Sequence, residues 1–134
     1  MHPRLVEGIE HFNAGRFWEA HESWEELWLP SAGGERQFLQ GLIQLAAAYH
    51  HAQRGTLSGA VRLFDSALRR MLPFPDGHDA IDRAGAVATA ARHRRWAAER
   101  VGERSNERLE RSEWPTLSVC APLLQGSSEP RRLP

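Results

Sequence analysis

Apolar residues recur at spacings of three and four along most of the chain before about position 105, and few runs alternate as a strand would. The pattern predicts an all-α protein. A first helix is expected over about 3–14 (LVEGIEHF), closed by the Asn13-Ala14-Gly15 break, and a second over about 16–29, ended by Pro30 and the SAGG loop. A third should run from about 35 to 54 and stop at Gly55, and a fourth from about 57 to 72, ending at PFPDG. Another begins near Asp79 and reaches about 101. The end, CAPLLQGSSEPRRLP, is rich in proline, glycine and serine and is expected to be largely disordered, with Trp114, Leu117 and Val119 able to dock the preceding stretch. The domain reading is therefore a single helical unit over 1–104 and a partly docked or disordered tail over 105–134.

Laying Gly15 on Gly55, forty residues apart, exposes a weak internal repeat: GRFWEAHESWEELW against GTLSGAVRLFDSAL. Phe17 then meets Leu57, Ala20 meets Ala60, Trp24 meets Phe64 and Trp28 meets Leu68. Each unit reads as a helix, a glycine turn, a small alanine at a close crossing and a bulky stripe, similar to a tetratricopeptide-type hairpin. Two such hairpins plus a closing helix make a small helical bundle.

In that alignment His21 lies opposite Val61, so a histidine occupies the edge of an apolar stripe formed by Phe17, Ala20, Trp24, Leu27 and Trp28. Glu25 lies one turn on, Trp18 and Glu22 continue the flank, and Glu19, Ser23 and Glu26 are expected to face solvent. A buried imidazole and carboxylate need partners. The third helix offers Gln37, Gln40, Gln44 and His51 on one face among the small residues Gly41, Ala47 and Ala48, so one polar cluster inside the core is predicted.

The segments FNAGRFWEAHESWEELW and FLQGLIQLAAAYHHAQRGTLSGAVRLF resemble the bacterial and archaeal family known as domain of unknown function 309, over roughly residues 3–75. The resemblance implies a small all-helical bundle, carries no activity, and maps the family's motif positions to Glu19, His21, Glu22, Glu25, Gln40 and Gln44.

Three readings of the cluster compete. As a metal site, HESWE is a cousin of the zinc-binding His-Glu-x-x-His helix, with His21 and Glu25 as ligands to a divalent metal, His51 or Gln44 completing the shell and Glu22 as general base. Without metal, His21, Glu25, Gln40 and Gln44 form a satisfied network fixing helix register. Opened to a groove, the same residues bind a ligand between Trp18, Trp24, Trp28 and Tyr49. His50, His78 and His93 read as surface or loop residues.

Composition narrows the chemistry. All 17 cationic side chains are arginine, which removes Schiff-base lysines and the lysine-dependent phosphate loop. Formal net charge is zero, and RHRRW at 92–96 continues into an Arg/Glu alternation typical of a solvated helix face, so nucleic acid is not an expected partner. Cys120 is alone and reads as a small apolar residue, and no run is long enough for a membrane helix, so a soluble, cytoplasmic protein is expected. Apolar surface left by only two hairpins points to homo-oligomer formation. The leading expectation is a non-catalytic module for a small ligand or protein partner; the alternative is a metal-dependent hydrolase using His21 and Glu25.

Overall fold

The computed structural model describes residues 1–120. The helices are α1 (Pro3–Asn13), α2 (Phe17–Trp28), α3 (Gly33–Arg54), α4 (Leu57–Met71) and α5 (Arg83–Gly102), with single 3-10 turns at His78–Ala80 and Arg111–Glu113. Each helix from α1 to α5 packs on its neighbour in sequence, giving two hairpins and a closing helix. The expected tail disorder beyond Cys120 lies outside the described residues. Among the described residues, no helix is long and apolar enough to cross a membrane.

The repeat is written into the backbone. Gly15 (φ 79°) and Gly55 (φ 82°) both adopt the left-handed conformation that a β-carbon disfavours. Arg16 and Thr56, which follow them, have nearly the same dihedrals, −91°/70° and −88°/74°. The bond from Arg16 N–H to the His11 carbonyl (2.9 Å) is matched by that from Thr56 N–H to the His51 carbonyl (3.0 Å). One glycine turn is thus used twice, and the aligned pairs Phe17/Leu57, Ala20/Ala60 and Trp24/Phe64 are all buried.

Helix α3 lies between α2 and α4 and buries residues on most of its circumference, from Phe38 and Leu39 to Tyr49 and Ala52. Trp24 is fully buried against α1, its Nε1–H donating to the Leu5 carbonyl at 3.2 Å. Gly8 makes this approach possible, because a β-carbon there would run into the indole. Burying such an aromatic contributes roughly 2–3 kcal/mol, and the paired N–H avoids a desolvation cost.

The stretch after α5 crosses back over both hairpins. Leu109 is buried and its N–H donates to Ala52 O at 2.9 Å. Trp114 packs on Gly15. Asn13 holds Leu117 twice, accepting from its N–H (2.6 Å) and donating to its carbonyl (3.1 Å). Val119 then forms a single antiparallel bridge with Ile81, which fixes the turn preceding α5.

Candidate functional site

The polar residues singled out in α2 and α3 do not form a cluster inside the core. Glu25 is exposed, because it lies on the solvent side of the boundary that its i, i+4 spacing from His21 straddles. Ser23, expected to face solvent, is buried instead; its hydroxyl donates to Glu7 of α1 at 2.9 Å, since α1 covers that side of α2. Gln44 and Gln37 are held by Arg70 of α4, at 3.1 and 2.6 Å, so the glutamine face of α3 turns partly toward the second hairpin. His51 pairs its Nδ1 with the Thr56 hydroxyl (2.7 Å) at the glycine turn.

What α2 and α3 do bring together is shallower. Glu25, Gln40 and Gln44 line a cleft of about 110 Å³ with Trp28 and Ile43, well below the size of a typical small-molecule site. His21 is half-buried beneath the exposed Trp18, whose ring stacks on it with centroids 4.5 Å apart, and its Nδ1 has no hydrogen-bond partner among the described residues. Trp24 is a core residue and offers no wall to a groove, for the packing reason given above. Glu22 is exposed.

A different set of ligand-type side chains converges elsewhere. Glu35 stands in the first turn of α3, and His78 and Asp79 in the turn before α5. Their ligand atoms all lie within 4.8 Å of one another, and among the described residues this is the group that could hold a metal ion. His78 Nε2 is 2.9 Å from Glu35 Oε1 and 3.7 Å from Asp79 Oδ2. The imidazole is fixed between Phe38 and Phe74, with ring centroids at 4.4 and 4.9 Å.

The backbone here is held in an unfavourable shape. Asp79 (φ 53°) and Ala80 (φ 62°) are consecutive non-glycine residues in the left-handed region, which costs about 1–2 kcal/mol per residue. Asp tolerates this conformation; Ala does not. It persists because neighbours pin it: Ala80 N–H bonds Gly77 O (2.8 Å), Ala80 O accepts from Cys120 N–H (2.6 Å), and Ile81 is fully buried.

The result is a strained turn that presents a carboxylate to a confined place. Among the described residues, Asp79 Oδ2 is buried without a hydrogen-bond partner. Burial first, then the neighbouring Glu35 carboxylate, push the Asp79 carboxyl up to about 6, against the pull of His78. Both carboxylates line a cavity of about 430 Å³ whose apolar wall includes Leu5, Leu27 and Leu39.

His78, expected at the surface or in a loop, instead opens a 3-10 turn and is partly buried, and nothing in the sequence pairs it with Glu35. Glu35 and His78 are separated by 43 positions, and their meeting depends on how α3 packs beneath the turn before α5. A weak signal was present: PFPDGHDA gathers two prolines, a glycine, a histidine and two aspartates just ahead of a helix. His93, also read as a surface residue, is 2% exposed and bonds Tyr49. It lies on the face of α5 that Tyr49 covers.

No curated protein matches the chain. Residues 5–63 match the family model described as Domain of unknown function (DUF309), a span that takes in α1, α2, α3 and the start of α4. Glu35 falls inside the matched stretch and His78 and Asp79 outside it. On this match the chain resembles the domain of unknown function 309 family, as the motifs of its first two hairpins indicate.

Proposed function

We propose that the protein is a helical binding module in which a divalent transition-metal ion, held by Glu35, His78 and Asp79, anchors the polar end of a small ligand in the adjoining cavity. The observation that carries this reading is the convergence of three ligand atoms within 4.8 Å, beside an Asp79 Oδ2 that is buried without a hydrogen-bond partner among the described residues. Ligand atoms about 2.0–2.1 Å from a tetrahedral zinc stand about 3.3 Å apart. The 2.9 and 3.7 Å separations from His78 Nε2 bracket that value. A cation would replace the proton between His78 and Glu35 and relieve the repulsion between the two carboxylates.

One imidazole and two carboxylates, without sulfur, suit zinc or manganese, with zinc the tighter of the two. Three protein ligands leave a coordination position for a ligand's carboxylate or carbonyl oxygen, while Leu5, Leu27 and Leu39 receive its apolar body. At about 430 Å³ the cavity is in the range of small-molecule sites. Glu22 does not line it, so the hydrolytic role considered for that residue has no place in this reading.

Isothermal titration with Zn²⁺ and Mn²⁺ tests the proposal. The wild type should take up one saturating equivalent, and Glu35→Gln and Asp79→Asn should each weaken binding by at least about tenfold. Equal uptake by the wild type and both variants would overturn it.

A further inference from the structure

We propose a second binding site, independent of the cation site, in the pocket between α5 and residues 107–113, where His93 presents an imidazole N–H to a small organic amine that carries a hydroxyl or carbonyl oxygen. The pocket measures about 260 Å³ and exists because the chain returns over α5 after Gly102, with Leu109 closing it at depth. His93 is the anchor. Its side chain is 97% buried, Nδ1 lies 2.7 Å from the Tyr49 hydroxyl, and Nε2 has no hydrogen-bond partner among the described residues.

Hydrogen-bond accounting assigns the tautomer. Tyr49 is fully enclosed, and burial holds its phenol far above the usual range, so the hydroxyl keeps its proton. That proton has one acceptor in reach, His93 Nδ1. Burial, together with Arg92, lowers the imidazole's proton affinity despite Glu113, which leaves a neutral ring. With Nδ1 accepting from Tyr49, the ring proton must sit on Nε2, the buried nitrogen 3.7 Å from the pocket residue Glu113. The nearest carboxylate oxygen, Glu113 Oε1, is 3.7 Å away and too far to accept it. A buried donor left without an acceptor keeps an uncompensated desolvation penalty, which a ligand oxygen would relieve.

The charges around the pocket select the rest of the ligand. Arg92 is paired with Glu113 and Arg100 with Glu107, both at 3.3 Å. Glu110, between them, has no ionic partner among the described residues, so one negative charge remains to be matched. Trp96 and Leu109 supply apolar wall. A complementary molecule therefore places an ammonium at Glu110, an oxygen at His93 Nε2 and a flat or apolar body against Trp96.

The probe is 2-amino-1-phenylethanol, with phenethylamine lacking the oxygen and 1-phenylethanol lacking the ammonium. Binding to the full chain is followed by long-range ¹H–¹⁵N spectra of the histidine rings. The amino alcohol should shift the His93 Nε2 resonance saturably at about millimolar concentrations or below, and each truncated probe should bind about tenfold more weakly. Glu110→Gln alters an exposed side chain and should lower amino-alcohol affinity about tenfold while leaving that of 1-phenylethanol unchanged. No movement of the His93 signal, or equal affinity for all three probes, would overturn the proposal. Neither result bears on metal uptake at Glu35, His78 and Asp79.

Discussion

His78 Nε2 stands 2.9 Å from Glu35 Oε1, and through this contact the turn ahead of α5 is tied to the first turn of α3. Beside it Asp79 contributes a carboxylate whose Oδ2 is buried without a partner among the described residues. Three groups suited to a cation are thus held together, the two carboxylates at the wall of a cavity. In the metal-free protein, the same arrangement is a source of instability.

Asp79 sets the sign of a pH effect. Its folded value, about 6, lies above the ordinary 3.8, so the folded state holds the proton more tightly than the unfolded chain. The resulting stabilisation is complete below about pH 4 and lost as pH rises through about 6. Allowing for partial exposure, this amounts to no more than about 2 kcal/mol. Asp79→Asn, which suits the left-handed backbone equally well, should remove this slope and be the more stable protein at neutral pH without metal. Urea unfolding of both proteins from pH 4 to 7.5 measures the difference; an Asn variant less stable at pH 7 would contradict it.

Gly8 is required by Trp24. Gly8→Ala places a β-carbon inside a rigid, fully buried indole that also donates to Leu5 O, so α1 must shift off α2. The expected loss is about 3 kcal/mol, with a lower denaturation midpoint at unchanged m-value.

Tyr49 serves the buried imidazole. Tyr49→Phe preserves the aromatic contacts with Phe12, Phe17 and Phe64 but leaves His93 Nδ1 without its partner. The change should cost about 1–3 kcal/mol in thermal or chemical unfolding. A loss below about 0.5 kcal/mol would show that the pair is not formed in solution.

The two glycine turns should respond unequally. Gly15→Ala and Gly55→Ala each pay about 1–2 kcal/mol for a left-handed alanine. At Gly55 the new β-carbon also meets the Asn106 backbone carbonyl, whereas at Gly15 it meets the Trp114 side chain rather than backbone. Gly55→Ala should therefore be the more destabilising in calorimetric melts.

The fold was legible because it rests on local signals. The left-handed glycines at 15 and 55 and the bulky stripes following them declare both hairpins within short windows. The candidate site was not legible, since Glu35 and His78 become neighbours only through tertiary packing. Helical spacing put His21 and Glu25 side by side but could not say which of them α1 and α3 leave open to solvent. Ser23 shows the same limit: a small polar residue looked like a solvent position until α1 laid Glu7 across it.

The most direct test is to follow the histidine ring nitrogens while Zn²⁺ is added near neutral pH. The His78 Nε2 resonance should move first and saturate at one equivalent, lose that response in Asp79→Asn, and weaken as pH falls below about 6. Zinc that first perturbs His21 or His51, with His78 unmoved, would contradict the account.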